Sequence, residues 1–176
     1  MTRRNVMIRI LTHRAGVMTG DIPRGRFELH SADDEAMRAQ LEELFACSED
    51  EPEVSELLVE GRLVTTTHRV ELLYVEDFSS DMGTSTTRIG FDRAAPELIT
   101  MLRSGAVSTA LVFENKRRNI CIYNAPSVGF EVCISTVKVE NELLEKGRLA
   151  LDYYIEIHGA QTDHCRLEIT VRDAEP

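Results

Sequence analysis

The chain has 176 residues, which suits one domain and allows roughly 70% of the unfolded surface to be buried on folding. Its hydrophobic fraction of 43% and charged fraction of 28% are those of an ordinary soluble globular protein, and they exclude a disordered chain. The formal net charge of −10 argues against nucleic acid as a partner, because a phosphate backbone repels carboxylates.

The N-terminal residues predict a strand rather than a signal peptide. Val6, Ile8 and Ile10 alternate with polar residues instead of forming an unbroken apolar run, which favours a strand over about residues 4–12. No stretch approaches the ~20 apolar residues that a membrane span needs. We therefore expect a cytoplasmic protein without membrane association.

Residues 13–53 interrupt the strand pattern and predict a loop followed by one amphipathic helix. Met37, Leu41, Leu44 and Phe45 recur at helical spacing and form one apolar stripe, and Ser31 can cap the helix. The helical part, residues 31–53, carries nine carboxylates and one arginine, a net charge of −8. We expect the stripe to pack on the protein's own barrel, with a partner in a homodimer or another protein as the alternative.

From Val54 onward the apolar residues have a period of two, which is typical of half-buried strands. The last strand shows it best, because Cys165, Leu167, Ile169 and Val171 share one face. Short turns join the strands, so the sheet is an antiparallel meander that must close into a barrel or fold into a sandwich. The predicted strands in this part cover residues 54–65, 69–78, 83–91, 96–104, 106–114, 118–124 and 128–139, followed by a hairpin within 147–159 and 163–173.

Several residues of the second half resemble the YwiB-like family of uncharacterised bacterial proteins. The resemblance rests on Arg103–Val107 (RSGAV), Phe113-Glu114 before a turn, Tyr123, Pro126, Gly129 and the final LEITV. It implies a calycin-like β-barrel, related in shape to lipocalins and fatty-acid-binding proteins, and it brings no established activity or catalytic residues. The expected fold class is thus an all-β antiparallel calycin/lipocalin-like barrel with one inserted amphipathic helix, in a single domain of residues 1–176.

Arg103 is the most informative charged residue, because it shares a strand face with Ile99 and Met101. If that face is the barrel interior, the charge must be paired or hydrogen-bonded. The favoured interpretation is a structural ion pair with a carboxylate such as Glu131 or Glu114. The alternative is an anion-binding arginine at the end of a cavity.

His158, Asp163, His164 and Cys165 lie close together in the sequence, which raises the possibility of a metal site. However, His164 and Cys165 point to opposite faces of one strand, so an exposed hairpin end is the preferred interpretation. The four cysteines form no CxxC pair and are expected to be reduced thiols. We expect no metal and no cofactor.

Enzyme motifs are missing from the sequence. Ser104 stands in RSG rather than in the GxSxG elbow of hydrolases, and no phosphate-binding GxxxxGK[ST] or GxGxxG occurs. The basic run Lys116–Arg118 has no neighbouring aromatic residues and is predicted to be a solvated hairpin tip. We therefore expect a protein that is not an enzyme.

Two functions remain open. In the first, the barrel binds a small amphipathic or anionic ligand without catalysis. In the second, the barrel is filled by its own side chains and acts as a protein–protein interaction module, as a monomer or a homodimer. The candidate ligand-binding residues are Met101, Arg103, Tyr123, Glu131 and Tyr154.

Overall fold

The computed structural model describes residues 1–17, 52–78, 83–105, 108–125, 128–157 and 160–174. This part of the chain contains ten strands and one short helix, α1 (Leu143–Lys146), between the eighth and ninth strands. The strands are β1 (Thr2–Gly16), β2 (Glu53–Thr65), β3 (Arg69–Phe78), β4 (Gly83–Asp92), β5 (Ala95–Gly105), β6 (Ser108–Phe113), β7 (Arg118–Ala125), β8 (Val128–Glu142), β9 (Arg148–Ile157) and β10 (Ala160–Asp173).

The ten strands form one closed antiparallel barrel. Each strand pairs with the next one along the chain, and β1 pairs with both β2 and β10, so the sheet closes on itself. The predicted antiparallel all-β class is therefore confirmed, and every predicted strand corresponds to one of the ten. The bounds differ in places, since β1 continues to Gly16 instead of ending near residue 12 and β8 continues to Glu142 instead of ending at residue 139. The short helix α1 was not predicted. The predicted inserted helix lies outside the described residues.

Side chains alternate between the barrel interior and its outer surface, as a period of two requires. In β1, Val6 and Ile8 are fully buried. In β10, Cys165 is 2% exposed and Ile169 fully buried, which confirms the predicted core face. Each such aliphatic side chain stabilises the fold by about 1.5–3 kcal/mol relative to an exposed position.

One end of the barrel is closed by α1, and we refer to it as the closed end. Leu143 at the start of α1 is 2% exposed and belongs to the core. The helix ends at Gly147, whose φ of 66° is left-handed and whose carbonyl accepts a 2.7 Å bond from the Val171 amide. A Cβ at Gly147 would lie 2.4 Å from the Val171 carbonyl oxygen, so only glycine fits without a shift of the backbone.

At the opposite end of the barrel lie the carboxyl ends of the odd-numbered strands, β1, β3, β5, β7 and β9, and the amino ends of the even-numbered strands. Gly105 terminates β5 there with φ 136°, and a Cβ at this position would lie 2.3 Å from the Thr84 carbonyl oxygen. A side chain at this φ would be strained, so the end of β5 requires glycine.

The barrel wall opens between β2 and β3 at this second end. The two strands pair between Gly61–Thr65 and residues 70–74. Beyond that point, in the described part of the chain, β2 continues to Glu53 beside β1, and β3 continues to Phe78 beside β4. The interior at this end is therefore flanked by a gap in the hydrogen-bonded wall.

Candidate functional site

Polar side chains occupy the inner face of the barrel at the end opposite α1, which we call the polar end. They lie on β1, β3, β4, β5, β6, β7 and β10, close to where each of these strands begins or ends. Because successive inner-face positions come every two residues, these side chains point into the same interior as the core. The polar end comprises Arg14, Tyr74, Glu76, Thr87, Arg103, Thr109, Tyr123 and Asp163.

Arg103 is held by a hydrogen-bonded triangle. Its Nη2 donates to Glu76 Oε1 at 2.9 Å, and its Nε donates to Thr87 Oγ1 at 3.3 Å. The Thr87 hydroxyl in turn donates to Glu76 Oε1 at 2.9 Å. The Glu76 side chain is 10% exposed and that of Arg103 25%, so the pair lies mostly inside the barrel. A charge buried to this degree requires such a partner.

Arg14 and Asp163 form a second ion pair at the same end. Arg14 Nε and Nη2 donate to the two carboxylate oxygens of Asp163 at 3.1 and 3.2 Å, which is the paired fork geometry of strong arginine–carboxylate bonds. The Asp163 side chain is fully buried and Arg14 is 21% exposed. The polar end therefore holds two positive and two negative charges within the barrel.

The register aligns five inner-face residues in one row across the wall. Tyr74 lies opposite Thr87, Thr87 opposite Arg103, Arg103 opposite Thr109, and Thr109 opposite Tyr123. The Thr109 hydroxyl is buried and has no hydrogen-bond partner among the described residues. A buried hydroxyl normally finds a partner, so a water or ligand atom is expected beside Thr109.

The pKa values of two buried tyrosines, Tyr74 and Tyr153, depend on charged residues of the two ion pairs. Burial raises the pKa of Tyr74, the Glu76 carboxylate raises it further, and the Arg103 guanidinium acts in the opposite sense. Burial also raises the pKa of Tyr153, with the Cys165 thiol adding to the effect and Arg103 and Arg14 opposing it. Both phenols therefore stay neutral, and both arginines act on the same interior.

The structure brings three of the five predicted site residues together and separates the other two. Met101, Arg103 and Tyr123 are on the inner face, with Met101 7% exposed in the core. Tyr154 lies on the outer face of β9, stacked on the His164 ring at 4.6 Å. Glu131 is exposed on the outer face of β8.

The partner predicted for Arg103 is wrong. Glu131 points outward, and Glu114 pairs with Arg117 at 3.6 Å in the turn after β6. The carboxylate that pairs with Arg103 is Glu76, whose strand β3 is separated from β5 by β4. An ion pair is present as the favoured interpretation required, but its second member comes from another part of the sequence.

The residues considered for a metal site are distributed over different faces. Asp163 faces inward to Arg14, while His164 faces outward and its Nε2 lies 2.6 Å from Asp152 Oδ1. Cys165 returns to the interior. His158 lies outside the described residues. In the described part of the chain, no group of three potential metal ligands comes together.

Sequence comparison identifies the family. The profile of the family described as "Domain of unknown function (DUF1934)" matches residues 44–169, which is more than half of the chain. The chain belongs to this family.

The fold of this DUF1934 protein is similar to that in the crystal structure of ywiB protein from Bacillus subtilis. The two agree with a TM-score of 0.63 over 98% of this chain and 94% of that chain, at 14% sequence identity. At that identity the likeness establishes the fold, a calycin-like barrel. Together with the family match, it confirms the resemblance inferred from the sequence. A search of the curated proteins gave no match.

Below the polar end, large side chains fill the barrel of this DUF1934 protein. Phe113, Ile134 and Leu151 are almost completely buried, and the Phe113 ring packs edge to face on Tyr153 with centroids 4.9 Å apart. Two open cavities, of about 400 and 160 Å³, lie beside α1 at the closed end, where Leu144 and Glu145 line both. A ligand at the polar end would therefore contact the rim of the interior and not a deep hollow.

Six residues of the polar end were not predicted as site residues, namely Arg14, Tyr74, Glu76, Thr87, Thr109 and Asp163. Arg14 was missed because β1 was expected to end before it, and Asp163 because it was grouped with the hairpin. Tyr153 was already on the predicted core face of β9, so the period of two favoured it over Tyr154.

In the described part of the chain, the helical residues do not form a segment with the length and apolar character of a membrane crossing.

Proposed function

We propose that this protein binds a small anionic or amphipathic ligand at the polar end of its barrel and does not convert it chemically. The observation that carries the proposal is the placement of two arginine–carboxylate pairs, Arg14–Asp163 and Arg103–Glu76, inside one end of the barrel. The opposite end is built from aliphatic side chains and α1.

Stability alone does not explain these charges. Replacing a buried ion pair by well-packed apolar residues is often neutral or stabilising by about 1–4 kcal/mol, because the charges lose their hydration when they are buried. A barrel selected for packing alone would carry aliphatic residues at these inner-face positions. The charged groups therefore fit a recognition role better than a structural one.

The geometry suggests how a ligand would be held. A carboxylate or phosphate group would lie near Arg103 and the Thr109 hydroxyl, on the row that continues to Tyr123. The gap between β2 and β3 lies next to Tyr74, and Tyr74 is on the same row. Because the barrel is filled below this row, an apolar part of the ligand would rest on Met101 and the rim, not in a lipocalin-type cavity.

A conservative substitution tests the proposal. Melting temperatures would be measured for the wild-type protein with inorganic phosphate, citrate, octanoate and octyl phosphate. A ligand that binds the native state raises its stability, by about 2.7 kcal/mol at a concentration of 100 times Kd. We expect at least one probe to raise the melting temperature.

Arg103→Lys keeps the charge beside Glu76 but loses the planar fork, so the affinity for that probe should fall by roughly tenfold or more. The matched control is Arg166→Lys on the outer face of β10, where the side chain is 57% exposed. No shift with any probe, or equal shifts in both variants, would contradict the proposal.

A filled interior also favours a second candidate, a protein–protein interaction module. Its support is the exposure of aliphatic residues on the outer wall, where Ile120 is 74% and Ile122 57% exposed. This second function needs no ligand at the polar end, and the probe experiment separates the two.

We further propose a cytoplasmic location. In support, Cys121, Cys133 and Cys165 are free thiols in the described part of the chain, and two of them are buried. Reduced, buried cysteines are typical of a reducing compartment.

A further inference from the structure

Aliphatic side chains cluster on the outer face of β5, β6 and β7. Ile120 and Ile122 on β7 are 74% and 57% exposed, and Leu102 on β5 is 43% exposed. Ala110 between them is exposed and Val112 is half-buried. We call these five residues the aliphatic patch. Contiguous exposed apolar surface of this kind marks interaction sites in soluble proteins.

The strand register arranges part of the patch in a single line. Leu102 lies opposite Ala110. The pairs Ser108–Asn124 and Thr109–Tyr123 set the register of β6 and β7, and continuing that register by one residue would place Ala110 beside Ile122. Three apolar side chains therefore follow one another across three neighbouring strands.

The line ends in opposite charges. Arg88 on β4 lies opposite Leu102, and Glu131 on β8 lies opposite Ile122. Both residues are exposed. Within the described ranges, neither takes part in an ion pair. Five strands at about 4.8 Å spacing make the line about 19 Å long, with a cation at one end and an anion at the other.

We propose that the aliphatic patch is the interface of a homodimer. A two-fold axis through Ala110 would lay the patch of one copy on the same patch of the other, so that Arg88 meets the partner subunit's Glu131 and Glu131 meets the partner subunit's Arg88. A two-fold interface must be self-complementary, and a line with an arginine, three apolar residues and a glutamate in that order satisfies this condition. A second copy is therefore the occupant that the charge order fits.

The seam between β6 and β7 lies under the centre of this interface. The two strands share two paired positions, Ser108–Asn124 and Thr109–Tyr123, and farther along the seam the Asn119 side chain donates to the Val112 carbonyl at 3.3 Å. A second barrel packed here would shield the part of the wall where the described hydrogen-bonded pairing is shortest.

Sedimentation of the full chain over a range of concentrations tests the proposal. The wild-type protein should be a dimer, and Ile122→Lys should raise the dimer dissociation constant by at least about tenfold, because it buries a charge in an apolar contact. The matched control is Leu58→Lys on β2, where the side chain is 65% exposed and lies on the opposite side of the barrel. It should leave the dimer unchanged.

Exchanging the charges of Arg88 and Glu131 tests the two-fold arrangement of the dimer. Arg88→Glu and Glu131→Arg should each weaken the dimer, because each places like charges together, and the double variant should restore it. A monomer at every concentration would overturn the proposal. A dimer that Ile122→Lys leaves intact, or weakening that the double variant fails to reverse, would overturn it as well, and so would association of the patch with a different protein alone.

Discussion

The closed end and the polar end of this barrel use the same strands for different purposes. At the closed end, inner-face positions are aliphatic, and Leu143 of α1 completes the core. At the polar end, the same alternation places Arg14, Glu76, Arg103 and Asp163 inside. The comparison shows that the interior is aliphatic at one end of the barrel, while at the other end β1, β3, β5 and β10 contribute two arginine–carboxylate pairs.

The largest effect is expected from a cavity at the closed end. Leu149 is fully buried near the start of β9, opposite Ile169. Leu149→Ala should reduce the free energy of unfolding by about 2–5 kcal/mol, because it removes apolar contacts and leaves a void. Denaturant unfolding measures the loss. Leu58→Ala, at an exposed position, should change stability by less than about 0.5 kcal/mol, and equal losses for the two variants would contradict this account.

A smaller loss is expected when one charge is removed from the polar end. Asp163→Asn keeps the shape of the side chain but removes the negative charge beside Arg14, and it should cost about 1–3 kcal/mol. Asp173→Asn is the control, because Asp173 forms an exposed pair with Arg4 at 2.9 Å. Exposed pairs contribute little, so that variant should behave like the wild type. If Asp163→Asn reduced the free energy of unfolding as much as Leu149→Ala, the polar end would contribute as much to stability as the core, and this account would be contradicted.

The weakest effect concerns alkaline pH. The pKa values of Tyr74 and Tyr153 are raised by burial in the native state, above the ordinary value of about 10 that tyrosine has in the unfolded chain. The native state then holds protons that the unfolded chain releases, so stability is fully present below pH about 10 and declines as the pH rises above it.

Unfolding measured from pH 8 to 11 should show this decline. It should be shallower in Tyr153→Phe, which cannot ionise at that position. An unchanged decline in both Tyr74→Phe and Tyr153→Phe would mean that neither buried phenol contributes to it.

The strands and their faces could be predicted from the sequence, because a period of two fixes which residues point inward. Cys165 and Met101 are in the core as the alternation indicates. The same alternation shows that Arg103 faces inward. It also places Tyr154 and Glu131 on the outer wall, so a stricter use of the pattern excludes both from an internal site.

The pairing of charges could not be predicted in the same way. Glu76 contacts Arg103 across the intervening strand β4, and Arg14 reaches an aspartate at the other end of the chain. Such contacts depend on barrel closure and register, which the order of residues within one strand does not contain. The position of Arg14 also depended on where β1 ends, and strand ends are the least certain part of a pattern-based prediction.

The most direct test of the difference between the two ends is the stability of the double variant Arg103→Met/Glu76→Leu. Both charges of the pair are replaced by apolar side chains of similar size, so no buried charge is left without its partner. If the pair serves recognition, denaturant unfolding should give a free energy equal to that of the wild type or up to about 4 kcal/mol higher, while stabilisation by the ligand probe is lost. A double variant that is as unstable as Leu149→Ala and still binds the probe would contradict the account.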